Sequence, residues 1–223
     1  MSGWLALIGG GEFSFGETAE ADRAWLEECG EGPVGFLPAA SGSIDYGRHF
    51  AAYLKETFGR EVEVIPIYRE RDGRRSRNAE RIAACPAVYL GGGVADQLLD
   101  ALAGAPASEA LAEKIRSGGV VVAIAAAAQA CGAAVRSISG GRVLAGLGLL
   151  PGVAIETNFD PAHDRRLRQL LAQPGVERGI GIAAGALLLV GADGRFESQG
   201  DVFALAGPEA DLVPMVGEEN RTS

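Results

Sequence analysis

Short apolar runs that end in glycine or other very small residues constrain this chain more than any other feature. Trp4-Leu-Ala-Leu-Ile8 runs into Gly9-Gly10-Gly11-Glu12, Pro33-Val-Gly-Phe-Leu-Pro38 into Ala39-Ala40-Ser41-Gly42, and Ala87-Val-Tyr-Leu90 into Gly91-Gly92-Gly93. The fourth run, Val120-Val-Val-Ala123, leads into Ile124-Ala-Ala-Ala-Ala128. Brief apolar runs closed by turn residues read as strands buried on both faces, and the amphipathic stretches between them supply crossover helices. Helices are expected from Thr18 to Cys29, with Ala19, Ala21, Trp25 and Leu26 inward, and from about Asp45 to Phe58. Further helices are expected through Leu98, Leu99 and Leu102 and from about Ser108 to Arg116. Val62 to Pro66 reads as a further strand. The arginine-dense segment Tyr68 to Arg81 reads as a solvated loop leading into a short helix, and the alanines of Ala125 to Val135 suggest another helix.

The C-terminal third changes character. Gly179-Ile-Gly-Ile182, Ala186-Leu-Leu-Leu-Val190, Arg195-Phe-Glu-Ser198 and Val202-Phe-Ala-Leu205 are short strands joined by turns such as Ala192-Asp193-Gly194. Antiparallel hairpins at one sheet edge are expected there. The fold class is therefore α/β: a three-layer sandwich with a mostly parallel central sheet and an antiparallel C-terminal extension. With 223 residues, 48% of them hydrophobic, one core suffices. A single domain over residues 1–212 is expected, followed by an acidic, polar tail at 213–223 that should fray.

Composition removes several function classes. Twenty Lys+Arg against 29 Asp+Glu give a net charge of −9, and the arginines are scattered among acids, so nucleic acid is not an expected partner. The apolar runs fall short of the roughly 18 residues a membrane span needs, and no basic leader opens the chain. A cytoplasmic protein with no membrane partner is expected. Cys29, Cys85 and Cys131 are too scattered, and His49 and His163 too few, for a disulfide framework or a metal site. The first glycine turn lacks the GxGxxG spacing of a dinucleotide site, and no cofactor is expected.

In open α/β sheets, ligands gather at the carboxyl ends of the strands. The ordered segments found there, Leu7-Ile-Gly-Gly-Gly-Glu12, Phe36-Leu-Pro-Ala-Ala-Ser41 and Tyr89-Leu-Gly-Gly-Gly93 with Asp96-Gln97, continue in Gly146-Leu-Gly-Leu-Leu-Pro151. Asn158-Phe159 ahead of an arginine-rich helix and Gly179-Ile-Gly-Ile182 ahead of a hairpin complete the set. Taken in order they resemble the dipeptidase E and cyanophycinase family of serine peptidases, over nearly the whole chain. The resemblance implies the class I glutamine amidotransferase-like, flavodoxin-like fold.

It also implies a degenerate catalytic site. The family's nucleophile is the serine of a GxSAGA turn, and the matching segment here, Ala123 to Ala128, places Ala125 at that position. Ala123 and Ala127 are small enough to keep the sharp strand-to-helix turn, but a methyl group cannot attack a carbonyl. The family's histidine base, in a His-Phe pair, matches Asn158, whose amide cannot relay a proton near neutrality. An acidic residue that often follows the Gly-Ile-Gly-Ile strand in the family matches Ala184. What remains is binding apparatus: the backbone amides of Gly92, Gly93 and Ala126 for an anion or carbonyl oxygen, and Gln97, Asn158 and Ser41 for hydrogen bonds.

Two residues stand as candidates for a rebuilt site. Cys131, beyond Ala125 on the same helix, reads first as a small buried side chain. His163, five residues after Asn158, should face solvent or the crevice rim. His49 reads as a surface residue, and Ser41 and Ser43 lack an evident base. Two functions follow: a noncatalytic homologue that binds a small molecule or short peptide or serves as an assembly subunit, with a homodimer as a further expectation, and an active hydrolase of aspartyl dipeptides or other small acidic peptides.

Overall fold

The structure, a computed structural model, describes residues 3–216. The first half follows the expected alternation: β1 (Trp4–Ile8), α1 (Ala19–Glu27), β2 (Val34–Leu37), α2 (Ile44–Phe58) and β3 (Val62–Val64). Next come α3 (Glu70–Gly73), α4 (Ser76–Ala84), β4 (Ala87–Leu90), α5 (Ala95–Leu102), α6 (Pro106–Arg116), β5 (Val120–Ile124) and α7 (Ala126–Ala130). The second half holds β6 (Ala134–Arg136), β7 (Val143–Ala145), β8 (Val153–Thr157), α8 (Arg165–Leu171), β9 (Arg178–Ile182), β10 (Leu187–Gly191), β11 (Phe196–Gln199), β12 (Val202–Leu205) and β13 (Val213–Pro214). Local chemistry sets several boundaries. Ser43 caps α2 by accepting the Tyr46 N–H, Gly59 ends that helix at a φ of 68°, and Pro106 opens α6.

The main sheet runs β11-β10-β1-β5-β4-β2-β3, with β1, β5, β4, β2 and β3 parallel and the β10–β11 hairpin antiparallel against β1. Alternate residues feed opposite layers, as the strand period of two requires. Leu5, Leu7, Leu37, Val88, Leu90 and Val121 pack with Leu98, Leu102, Leu111 and Ile82 of one helical layer. Trp4, Ile8, Phe36, Tyr89 and Val122 pack with Trp25, Phe50 and Leu54 of the other. Each of these large side chains, taken from water, contributes about 1.5–3 kcal/mol. This is a flavodoxin-like three-layer sandwich. Among the described residues no helix is long and apolar enough to cross a membrane.

The structure differs from expectation in several details: the segment from Tyr68 holds two helices, α3 and α4, where a loop leading into one short helix is expected, and β6, β7 and β8 follow α7 where no strand is expected. The four C-terminal strands do not form one edge. The β10–β11 hairpin extends the main sheet, while β12 and β9 pair with each other and with β8 and β13 in a second sheet ordered β13-β12-β9-β8. The alanine-rich stretch from 125 to 135 is helical only to Ala130. The Ala133 N–H donates to the Val153 carbonyl at 2.7 Å, and a side chain at Gly132 would meet that same oxygen at 2.6 Å, so β8 claims the backbone that helix propensity would have continued. Finally, the segment expected to fray from residue 213 begins as strand β13, its pairing extended by the Met215 N–H donating to Val202 at 2.8 Å. Residues 217–223 of that tail lie outside the described residues.

Candidate functional site

Ala125 sits at the turn between β5 and α7 with φ 52° and ψ −120°, a conformation sparsely populated by residues other than glycine. Its N–H donates to the Ile8 carbonyl at 3.0 Å, and its own carbonyl accepts the Gln129 N–H at 3.1 Å. Ala123 and Ala127, two residues to either side, are fully buried. The elbow is thus held by packing on both flanks. Among the described residues the only other non-glycine with positive φ is Asn158, at 48°, and asparagine is one of the few residues that accept it.

The consecutive carbonyls of β1 and its glycine turn gather three loops, those that carry Ala125, Asn158 and Gly185. Ile8 accepts from Ala125 at 3.0 Å, Gly9 accepts from the Asn158 N–H at 2.7 Å, and Gly10 accepts from the Gly185 N–H, next to Ala184, at 2.9 Å. Gly10 has no room for a side chain because the Asn158 amide lies where a Cβ would go, and a Cβ at Gly9 would run into the Ala183 carbonyl. The glycines after β1 are therefore there for close approach of three other loops. Ala184 itself is exposed in the turn before β10.

Gly92 borders the elbow, since a Cβ placed on it would stand 3.8 Å from the Ala125 Cβ. Its N–H donates to the Tyr46 hydroxyl at a long 3.4 Å. The N–H groups of Gly93 and Ala126 have no hydrogen-bond acceptor among the described residues. Gly93 needs its φ of 146°, and a Cβ there would strike the Ala40 carbonyl. Gln97 and Ser41 stand apart from this cluster. Gln97 is exposed on α5 and borders a separate hollow with Gly42, while the Ser41 hydroxyl donates to the Pro38 carbonyl at 3.2 Å and accepts the Ser43 N–H at 3.2 Å within its own turn.

Beside the elbow lie two hollows of about 670 and 690 Å³ that share Gln129, Glu156 and Arg166 and so form one cleft. The first reaches from Gly93 and Ala126 to Arg136 and Arg142, and the second from Asn158 to His163. Gln129 is fixed by donating its side-chain N–H to the Thr157 hydroxyl at 2.9 Å. Burial pushes the Glu156 carboxyl above its ordinary range, with Arg136 and Arg166 pulling it part of the way back; the Arg166 guanidinium stands 4.0 Å away. Asp96, at the start of α5, accepts from the Ser137 hydroxyl at 2.5 Å and the Ile138 N–H at 3.0 Å. Those bonds hold the Asp96 carboxyl below its ordinary range and tie the β6–β7 hairpin over the first hollow.

Cys131 is fully buried, its thiol donating to the Ala127 carbonyl at 3.3 Å, and burial pushes it up to about 12. A thiol in that state supplies no nucleophile. His163 is exposed, in a short 3-10 turn after Pro161, with Nδ1 2.7 Å from the Asp160 carboxylate. His49 is exposed on α2. Gln129, Arg136, Arg142 and Glu156 line the cleft although no motif pointed to them, and Arg166 joins them from the arginine-rich helix after Asn158. The one available signal was Glu156, a lone charge inside the apolar strand Val153-Ala-Ile-Glu-Thr157.

A flavodoxin-like sheet whose central strand ends in a strained strand-to-helix elbow, with open amides beside it, defines the class of α/β proteins to which the chain belongs. Within that class the chain belongs to peptidase family S51, whose family model matches residues 5–197. It is similar in structure to a peptidase from an acI-B1 Actinobacterium, with a TM-score of 0.80 at 20% identity over 98% of this chain and 96% of that one. It is also similar to a candidate peptidase E protein from Listeria monocytogenes EGD-e, with a TM-score of 0.64 at 13% identity over 89% of this chain and 98% of that one. No curated protein matches this chain.

Proposed function

We propose that this chain is a peptidase-like member of family S51 that binds a small molecule or short peptide in the elbow cleft without serine catalysis. The observation that carries this reading is Ala125, a methyl side chain in the strained elbow at φ 52°. The backbone that would present a nucleophile is intact, and no nucleophile is there. Asn158 offers an amide in place of a base and Ala184 no carboxylate, so the machinery for activating a hydroxyl is missing at each matched position. The open N–H groups of Gly93 and Ala126 suit a carbonyl or carboxylate oxygen, and Asn158 offers both a donor and an acceptor.

Hydrolysis of aspartyl dipeptides or other small acidic peptides by a rebuilt site is the second reading. It is favoured by His163, whose ring is paired with Asp160 on the wall of the hollow that holds Asn158. Aspartyl dipeptide turnover separates the two. The unmodified protein is expected to show none above background, and Ala125→Ser or Asn158→His alone should add none. Activity should emerge only in the double variant, because nucleophile and base act as a unit. Turnover by the unmodified protein that disappears in His163→Ala overturns the noncatalytic reading.

A further inference from the structure

The arginine-dense segment after β3 is left unexplained by the elbow cleft. Apart from Arg77, which neither lines a hollow nor forms an ion pair among the described residues, its arginines fall into two groups. Arg74 and Arg81 each have a carboxylate of their own, Glu70 at 2.8 Å and Glu63 at 2.5 Å. Arg69, Arg71 and Arg75 instead line a hollow of about 560 Å³ at the carboxyl edge of the sheet, together with Tyr68, Asp72 and Gln97. Asp72 is the only acid in that wall, and it is buried and already engaged. It accepts the Tyr68 N–H at 3.3 Å and lies 3.3 Å from the Arg75 guanidinium and 3.8 Å from that of Arg71. Arg69 forms no ion pair among the described residues. One carboxylate therefore faces three guanidinium groups, leaving two positive charges in excess on a chain whose net charge is −9.

We propose that this hollow is a second ligand site, separate from the elbow cleft, that takes a small ligand carrying paired oxyanions. Guanidinium groups present donors in a fork that matches phosphate and carboxylate oxygens, and such charge-assisted bonds are the strong ones. Asp72 serves as the anchor that holds Arg71 and Arg75 at the wall, while Arg69 and the Gln97 amide remain to meet the ligand. The same chemistry is offered by a diphosphate or by a polycarboxylate.

Calorimetric titration of the full chain at low ionic strength, with inorganic pyrophosphate and with citrate, tests the site. Saturable binding of either probe is expected, and the tighter of the two names the source of the oxyanions. Arg69→Gln, which changes no side chain bonded to the Asp72 carboxylate, should weaken that binding by about tenfold, and Arg69→Gln with Arg75→Gln further still. Thermal melts of both variants confirm that they fold. Arg136→Gln with Arg166→Gln, in the elbow cleft, should leave the affinity unchanged. Absence of saturation with both probes, an affinity indifferent to Arg69→Gln, or an affinity that follows the Arg136 and Arg166 pair overturns the proposal.

Discussion

A methyl group at φ 52° costs on the order of 1 kcal/mol or more, and at Ala125 that cost is met by the bond to Ile8 and by the burial of Ala123 and Ala127. Ala125→Gly should therefore raise stability by about 1 kcal/mol, because strain relief outweighs the added freedom of the unfolded chain. Urea denaturation measures it, and a loss of stability would show an unstrained turn. Glu156 gives a second expectation at this scale. Its carboxyl is held above its ordinary 4.5 by burial, so the folded state keeps a proton that the unfolded chain has released. The stability linked to that proton is complete below 4.5 and is lost as pH rises through the raised value. Glu156→Gln removes the dependence, so the variant should gain on the unmodified protein in denaturation midpoints as pH rises above 4.5 and through the raised value. A difference constant across that range would place the carboxyl in water. The turns at Ala125 and Asn158 could be singled out in the sequence because the segments around them are local patterns. Arg136, Arg142 and Arg166 could not, because only packing brings them from a hairpin and a helix to one wall.

The Gly-Ile-Gly-Ile strand β9 shows the same division among elements. Its alternation made it recognisable as a strand, but its glycines are explained by what lies over them. A Cβ at Gly181 would collide with the Phe159 ring, and one at Gly179 with Leu171 of α8. The second sheet therefore packs ring and helix directly against backbone. Gly181→Val should destabilise the protein by about 2–3 kcal/mol through overpacking. Phe159→Ala in the same chain should return part of the loss, a coupling that a double-mutant cycle in urea reads directly. Additive losses would mean that the two do not touch. The short α7 has an equally non-local cause, since alanine alone favours a longer helix and the Val153 carbonyl ends it.

Over the whole molecule, Met215, the residue after β13, joins the two sheets. The Met215 N–H donates to Val202 of the second sheet at 2.8 Å, and the Met215 carbonyl accepts the Ser198 hydroxyl from the main sheet at 2.6 Å. Removing residues from 213 onward should lower stability by about 1–2 kcal/mol, measured by thermal and urea unfolding. An unchanged midpoint would show that the sheets hold together without it. The sequence by itself determined the order of the parallel strands, most of the helices between them and the carboxyl-edge location of the glycine turns. These are set by short-range periodicity and turn chemistry, which neighbouring residues carry. Only the tertiary structure decided that the C-terminal strands divide between two sheets, that Ile8, Gly9 and Gly10 gather three distant loops, and that Arg74 and Arg81 each meet a carboxylate of their own while Arg69, Arg71 and Arg75 line a hollow around Asp72. Those outcomes depend on which backbone groups and charges meet across the fold, and no local pattern encodes that.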